Sequence, residues 1–294
     1  MNSYEQARRI EIKTRRLVQQ VLAGGYRSAF RGAGLDFDEV RPYLPGDDIR
    51  HINWQVTARA GQPYLKRYIE ERQLTMLLLV DISGSTAFGS VSEKRTLAAE
   101  LTAVLATAAH FNQDRSGLLL FSDQIETLVK LGQGRNHTLR LIHTLLTHQA
   151  VGGGTDIDLA LQTAGRVLKQ PGVVVLISDL LTPPDSYQRR LARLNRRHDV
   201  VAIRLYDLLE QTIPNVGLLA LQDRETGRHI WVDTADPAWR QTFAHQAAAH
   251  ETVVARALRQ ANVDCLTLAT DDNWLPRLAQ FFGTRNRISH GLSE

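Results

Sequence analysis

The sequence has little of what builds disulfide-linked, secreted or membrane-spanning proteins. Cys265 is the only cysteine among the 294 residues, so neither an internal disulfide nor a thiolate metal cluster can form. No apolar run approaches the roughly 20 residues that cross a bilayer, and the polar N-terminus lacks the apolar core of a signal peptide. These absences predict a cytoplasmic protein without a membrane span.

The sequence also lacks a large excess of either positive or negative side chains. The chain has 35 Lys and Arg residues against 31 Asp and Glu, a formal net charge of +4, while 43% of its residues are hydrophobic. We expect a core of ordinary size and no nucleic-acid partner, because charge this balanced does not argue for one. An Arg-rich first helix from Tyr4 to Leu22 keeps nucleic-acid binding open as an alternative that would weaken steeply with salt.

Two regions of the chain differ in pattern. Residues 1–74 combine a helix with Gly- and Pro-rich loops and short strands, which predicts a small N-terminal α/β extension packed on the main domain, with Trp54 as its apolar anchor. Residues 75–294 alternate apolar strands with amphipathic helices. That alternation predicts a doubly wound, mostly parallel α/β sheet with helices on both faces, followed by a hairpin with a turn at Arg224–Gly227 and further helices.

The pattern also predicts element bounds in the larger domain. The predicted sheet strands cover residues 74–81, 117–122, 124–129, 173–177, 200–206 and 263–268. Helices are predicted at 92–111, 138–146, 157–169, 186–195 and 273–282, with a long helix beginning at Pro237. Ser92 and Asp236 are the expected N-caps of two of them.

The end of the first sheet strand has a group of oxygen-bearing side chains, Asp81-Ile82-Ser83-Gly84-Ser85. In an extended chain alternate side chains share a direction, so one carboxylate and two hydroxyls can converge above the strand end. Ligands of open parallel sheets bind at that edge. Oxygen donors without sulfur or imidazole suit a hard cation such as Mg²⁺. Taken alone, this short string also fits an ordinary turn.

Two later segments add oxygen donors at the same edge. Thr155 follows Gly152-Gly153-Gly154 in a loop before a helix, and Asp179 follows the apolar strand 173–177. Three separate segments then offer ligands to one point, which favours a metal site over chance. Mn²⁺ and Ca²⁺ accept the same ligand set as Mg²⁺.

These five residues resemble the metal-ion-dependent adhesion site of von Willebrand factor A domains. The resemblance implies that Ser83 and Ser85 bind the ion directly, and that Asp81, Thr155 and Asp179 bind it directly or through water. It further implies a module that works by binding, in which an Asp or Glu carboxylate of a partner completes the coordination of the ion.

Catalytic alternatives have weaker support in the sequence. A phosphoryl-transfer nucleophile of the D-x-D type would need an Asp in place of Ser83, and Ile82 breaks the G-x-S-x-G pattern of acyl transfer. Nucleotide-binding glycine motifs are missing. We therefore predict no catalytic residues, and keep a metal-dependent hydrolase (a phosphatase or nuclease) that uses the same pocket as the alternative.

A second resemblance rests on the N-terminal region. The segments Arg31–Phe37, Val40–Trp54 and Thr57–Arg59 are similar to the domain of unknown function 58 family, von Willebrand factor A-like bacterial proteins associated with MoxR-type AAA+ ATPases. The resemblance covers nearly the whole chain. It implies an adaptor that recognises a MoxR-type ATPase or a client protein during chaperone-like remodelling or maturation. Asp47 and Asp48, within the P-G-D-D motif, fit a structural turn as well as a partner contact.

Overall fold

The chain divides into two compact units, residues 32–73 and residues 1–31 with 74–294. The computed structural model describes residues 18, 40–44, 52, 54–66, 73–90, 92–222 and 227–290. The predicted first helix (Val18 excepted), the P-G-D-D motif and most of the turn at Arg224–Gly227 lie outside the described residues. How the extension packs on the main domain stays a prediction.

The smaller unit is an antiparallel strand pair with a short helix. Strand β1 (Val40–Pro42) pairs with β2 (Tyr64–Lys66), and helix α1 (Trp54–Ala60) precedes β2 in the chain. The hydroxyl of Thr57 accepts a hydrogen bond of 3.0 Å from the backbone N–H of Tyr64 and so ties the helix to the strand. Trp54, the first residue of α1, is 70% exposed; its role as an anchor on the larger unit stays a prediction.

The larger unit is built on a six-stranded sheet. The strands are β3 (Thr75–Asp81), β4 (Arg115–Phe121), β5 (Ile125–Gly132), β6 (Val173–Ser178), β7 (Asp199–Tyr206) and β10 (Asp264–Ala269). Their order in the sheet is β10–β7–β6–β3–β4–β5, and all neighbouring strands are parallel except β4 and β5, which are antiparallel. The predicted doubly wound, mostly parallel α/β sheet is confirmed.

Helices cover both faces of this sheet. They are α2 (Lys94–Phe111), α3 (Arg135–Thr147), α4 (Ile157–Val167), α5 (Gln188–Asn195), α6 (Leu208–Gln211), α7 (Pro237–Gln260) and α8 (Trp274–His290). Residues of α4, α5 and α7 pack with Leu77 and Leu79 on one face, while α2 packs against α3 on the other. The central strands therefore bury both faces, which explains why Met76–Val80 are fully buried.

The order of the strands reverses at β3. From β3 the chain first builds β4 and β5 on one side, then returns to place β6, β7 and β10 on the other. The carboxyl ends of β3 and β6 therefore meet at the switch point, where open α/β sheets bind their ligands.

The helix caps are confirmed in one case and wrong in the other. Asp236 caps α7 by accepting a hydrogen bond of 2.8 Å from the N–H of Ala238, as predicted. Helix α2 instead begins after Glu93, which makes no side-chain cap, and the hydroxyl of Ser92 donates to the carbonyl of Thr270 at 3.2 Å. The side chain that local sequence assigns to the cap makes a tertiary hydrogen bond instead.

After β7 the chain adds α6 and an antiparallel hairpin, β8 (Leu218–Gln222) and β9 (His229–Asp233). Among the described residues every helix is too short or too polar to traverse a bilayer.

Candidate metal centre

Two carboxylates lie where β3 and β6 end. Asp81 is the last residue of β3 and Asp179 follows β6 directly; their exposures are only 1% and 2%. The strands run parallel with Val80 opposite Ile177, so Asp81 and Ser178 reach the edge together. The Ser178 hydroxyl donates to Asp81 Oδ2 at 2.7 Å. Sequence reasoning missed this serine, although its position beside Asp179 at a strand end was a signal.

The serines that follow Asp81 form a tight turn. Asp81 Oδ1 accepts a hydrogen bond of 3.0 Å from the N–H of Ser83, and a 3₁₀ helix begins at the next residue, Gly84–Ala87. The hydroxyls of Ser83 and Ser85 lie 3.1 Å apart. The expected reason for their proximity, strand-like alternation, is wrong, because the turn and the 3₁₀ helix bring them together.

The Gly-rich loop contacts this turn from the side. The N–H of Gly84 donates to the carbonyl of Gly153 at 3.2 Å. Thr155, two residues further on, is half-buried, and its carbonyl accepts the hydroxyl of Thr182 at 3.5 Å. The loop of Thr155 therefore contacts both the turn after β3 and the segment that follows Asp179.

A carboxylate missed by the sequence analysis holds the Gly-rich loop in place. Glu126 Oε1 accepts hydrogen bonds from the hydroxyl of Ser122 at 2.6 Å, from the N–H of Gly152 at 2.8 Å and from the N–H of Val151 at 3.0 Å. Burial alone would raise the pKa of Glu126, but these bonds and the one to His148 outweigh burial and lower the pKa to about 2. Glu126 is therefore a fixed anion at neutral pH.

A buried lysine is the third residue that the sequence analysis missed, after Ser178 and Glu126. Lys94, at the start of α2, is fully buried and contacts Asp179 Oδ2 at 2.7 Å and Glu210 Oε1 at 2.6 Å through Nζ. Burial would lower the pKa of Lys94, yet the charges of Asp179 and Glu210 outweigh burial and raise it. Lys94 thus stays protonated and neutralises part of the negative charge at this edge.

Among the described residues, Asp81 has no ion pair like the one that Lys94 makes with Asp179. Burial and the nearby charge of Asp179 raise the pKa of Asp81 to about 7, although Ser178 and Ser83 partly stabilise its anion by hydrogen bonds. An additional cation between these carboxylates would favour the ionised form of Asp81.

The donor set fits a hard divalent cation. Adjacent ligands of an octahedral ion with bonds of 2.0–2.1 Å are about 2.9 Å apart, close to the 3.1 Å between the Ser83 and Ser85 hydroxyls. Within the described residues no group of three or more His, Cys, Asp or Glu is arranged to hold a metal. The candidate centre instead combines two carboxylates with hydroxyls, the chemistry suited to Mg²⁺ rather than to a soft metal.

The carboxylate of Asp179 already makes contacts within the protein. Asp179 Oδ2 binds Lys94, and Asp179 Oδ1 accepts the N–H of Leu181 at 3.3 Å. A carboxylate has about four lone-pair positions, so Asp179 can still reach an ion directly or through water.

Known proteins are similar to this chain in sequence. The sequence profile described as "Protein of unknown function DUF58" matches residues 39–253. An uncharacterized protein of Mycobacterium tuberculosis strain H37Rv is 34% identical over 283 residues, which cover 95% of this chain and 89% of the relative. An uncharacterized protein of Mycobacterium avium is 36% identical over 165 residues, or 55% of this chain and 95% of that protein.

Solved structures are similar in fold. An aerotolerance-related membrane protein from Bacteroides fragilis matches with a TM-score of 0.51 and 14% identity, over 73% of this chain and 99% of that chain. The von Willebrand factor A domain of SpRpn10 matches with a TM-score of 0.41 and 13% identity, over 70% and 93% of the two chains.

Proposed function

The chain belongs to the DUF58 family and has a von Willebrand factor A-like fold, and from this premise we propose that it is a non-catalytic protein-interaction module. It binds a carboxylate of a partner protein through a divalent cation, Mg²⁺ in the first instance, held by Asp81, Ser83, Ser85, Thr155 and Asp179. One observation supports this proposal above the others. Two hydroxyls lie 3.1 Å apart beside the buried Asp81, at the edge where such sheets bind ligands.

The side chains of such a site have different roles. Ser83 and Ser85 are neutral donors, and Asp81 and Asp179 supply negative charge, part of which Lys94 already offsets. A bound cation would supply positive charge and a coordination position for the carboxylate of a partner. Because neutral hydroxyls and a partly offset carboxylate leave the ion incompletely neutralised, a further anionic ligand would be favoured.

We propose a MoxR-type AAA+ ATPase, or a client protein of such an ATPase, as the partner, in cytoplasmic remodelling or maturation of that client. This partner is implied by the family resemblance and not by the geometry of the site. The carboxylate contact is the part that the site chemistry supports.

Capture of a purified MoxR-type ATPase by the immobilised full chain tests this function. Recovery in Mg²⁺ should fall at least tenfold in EDTA and with Ser83→Ala/Ser85→Ala. It should be unchanged with Thr252→Ala, which removes an exposed hydroxyl that bonds only the carbonyl of Ala248. Equal recovery under all conditions contradicts metal-bridged binding. Metal-dependent phosphatase or nuclease turnover that is lost in Asp81→Ala would replace the binding module by a hydrolase.

A further inference from the structure

Helix α5 and the residues after it concentrate positive charge. Between Gln188 and His198 the sequence has no acidic residue and five arginines: Arg189, Arg190, Arg193, Arg196 and Arg197. The chain as a whole has almost as many acidic as basic side chains, so this segment departs locally from an otherwise balanced charge.

A groove lies along this charged surface. It has a volume of about 940 Å³ and is open to solvent, and Arg189, Arg190 and Arg193 line it together with Asp158 and Asp185. Asp158 belongs to α4, so the groove lies between α4 and α5. Leu191 and Leu194 of α5 are buried beneath it and fix the helix on the core.

Two of the five arginines have partners within the protein. Arg190 Nε pairs with Asp158 Oδ1 at 2.6 Å, and Arg197 Nη2 donates to the carbonyl of Lys169 at 2.6 Å. Arg189, Arg193 and Arg196 are exposed. In the part of the chain that the structure describes, these three guanidinium groups have neither an ion pair nor a hydrogen bond.

The spacing of these three arginines puts them on one face of the helix. Positions i, i+4 and i+7 are neighbours on a helix surface, where like charges repel one another. An anionic ligand would remove that repulsion. Guanidinium groups are suited to such a ligand, because their planar fork binds a carboxylate through two parallel hydrogen bonds.

The residues that line the groove favour one class of anionic ligand. The lining has no aromatic side chain on which a nucleic-acid base could stack, and the carboxylate of Asp158 is already paired with Arg190. A flat membrane surface does not enter a groove between two helices. We propose that the groove between α4 and α5 binds an acidic peptide segment of a partner protein, with Arg189 and Arg193 as its main carboxylate contacts. This site needs no metal ion and is separate from the function proposed above.

A peptide-binding measurement on the full chain tests this inference. The probe is a fluorescein-labelled oligoglutamate peptide, titrated in EDTA so that the candidate metal centre does not contribute. Fluorescence anisotropy should report binding that weakens as salt is raised. Arg189→Glu/Arg193→Glu should weaken this binding at least tenfold, and the milder Arg189→Gln/Arg193→Gln should weaken it less.

A matched charge reversal elsewhere separates the groove from overall charge. Lys130 on β5 and Arg140 on α3 are exposed, and Lys130→Glu/Arg140→Glu changes the net charge by the same amount. This control should bind oligoglutamate like the wild type. Absent binding, or equal loss in both double variants, overturns the proposal. Tighter binding of a single-stranded oligonucleotide or of phosphatidylserine vesicles that depends on Arg189 and Arg193 also overturns it.

Discussion

At the scale of single residues, the buried Lys94 has the largest expected effect on stability. Its ammonium is the cation that neutralises Asp179, which is 2% exposed, while Glu210 is 21% exposed and can regain water. Lys94→Met should therefore lower the free energy of unfolding by about 3 kcal/mol, the usual result of leaving one member of a buried pair without its partner. Urea unfolding at neutral pH measures this loss.

Another ion pair supplies the comparison for Lys94. Arg190 and Asp158 are 31% and 34% exposed, so Arg190→Met should cost less than about 1 kcal/mol. Similar losses in both variants would show that the burial of Lys94 does not matter for stability.

The carboxylate of Glu126 is expected to make the free energy of unfolding depend on pH. Its pKa in the folded protein is about 2 against an ordinary 4.5, so the ionised carboxylate stabilises the folded state above pH 4.5. This contribution is lost as the pH falls from 4.5 towards 2. Glu126→Gln should lower the free energy of unfolding at pH 7 by about 3 kcal/mol and flatten its decline in acid.

Urea unfolding of both proteins between pH 7 and pH 3 measures the difference. Asp271→Asn, at an exposed carboxylate, should keep the wild-type decline in acid. A Glu126→Gln profile parallel to that of the wild type would contradict the role assigned to Glu126.

At the scale of elements, the Gly-rich loop tolerates a side chain at one glycine and not at another. A Cβ on Gly152 would lie 1.8 Å from Asp123 Oδ1 and 2.3 Å from Ser122 Oγ, whereas a Cβ on Gly154 would lie 3.7 Å from its nearest neighbour. Gly152→Ala should displace the loop of Thr155, lower stability by about 1–3 kcal/mol and weaken Mn²⁺ binding at least tenfold. Gly154→Ala should resemble the wild type in both measurements. Equal behaviour of the two variants would show that the loop adapts freely.

The elements that sequence predicts well are those with a strong local pattern. Strand β3 has a continuous apolar run, and the apolar residues that recur with helical spacing in α2 are buried: Leu97, Leu101, Val104, Leu105 and Ala108. The fold class follows from these local patterns because each strand and helix can satisfy them alone. The start of α2 was misplaced because Ser92 bonds to Thr270, 178 residues away.

In the candidate site too, local sequence reveals some residues and not others. Asp81, Ser83 and Ser85 are found in one short stretch of sequence, the end of a strand suggests Asp179, and the Gly-rich loop before a helix suggests Thr155. Lys94 and Glu126 act through partners distant in the chain, so no local spacing reveals them. A weak signal existed at Lys94, because a lysine in the first turn of a helix opposes the helix dipole and calls for another partner.

At the scale of the whole molecule, the two proposed binding surfaces belong to the unit that contains the sheet. The loops after β3 and β6 and the loop between α3 and α4 form the candidate metal centre, while α4 and α5 form the basic groove. Thr155 and Asp158, three residues apart, belong to the two surfaces. A partner with clustered carboxylates would suit both, because the cation proposed for one surface and the arginines of the other would each offer positive charge to such groups.

The proposed function depends most directly on a cation bound beside Asp81. Titration of the full chain with Mn²⁺, followed by electron paramagnetic resonance, measures such binding and its stoichiometry. We predict one bound ion per chain in the wild type and in Thr252→Ala, displaced by Mg²⁺, and none in Asp81→Ala. Absence of binding by the wild type, or undiminished binding by a folded Asp81→Ala protein, would contradict the proposed function.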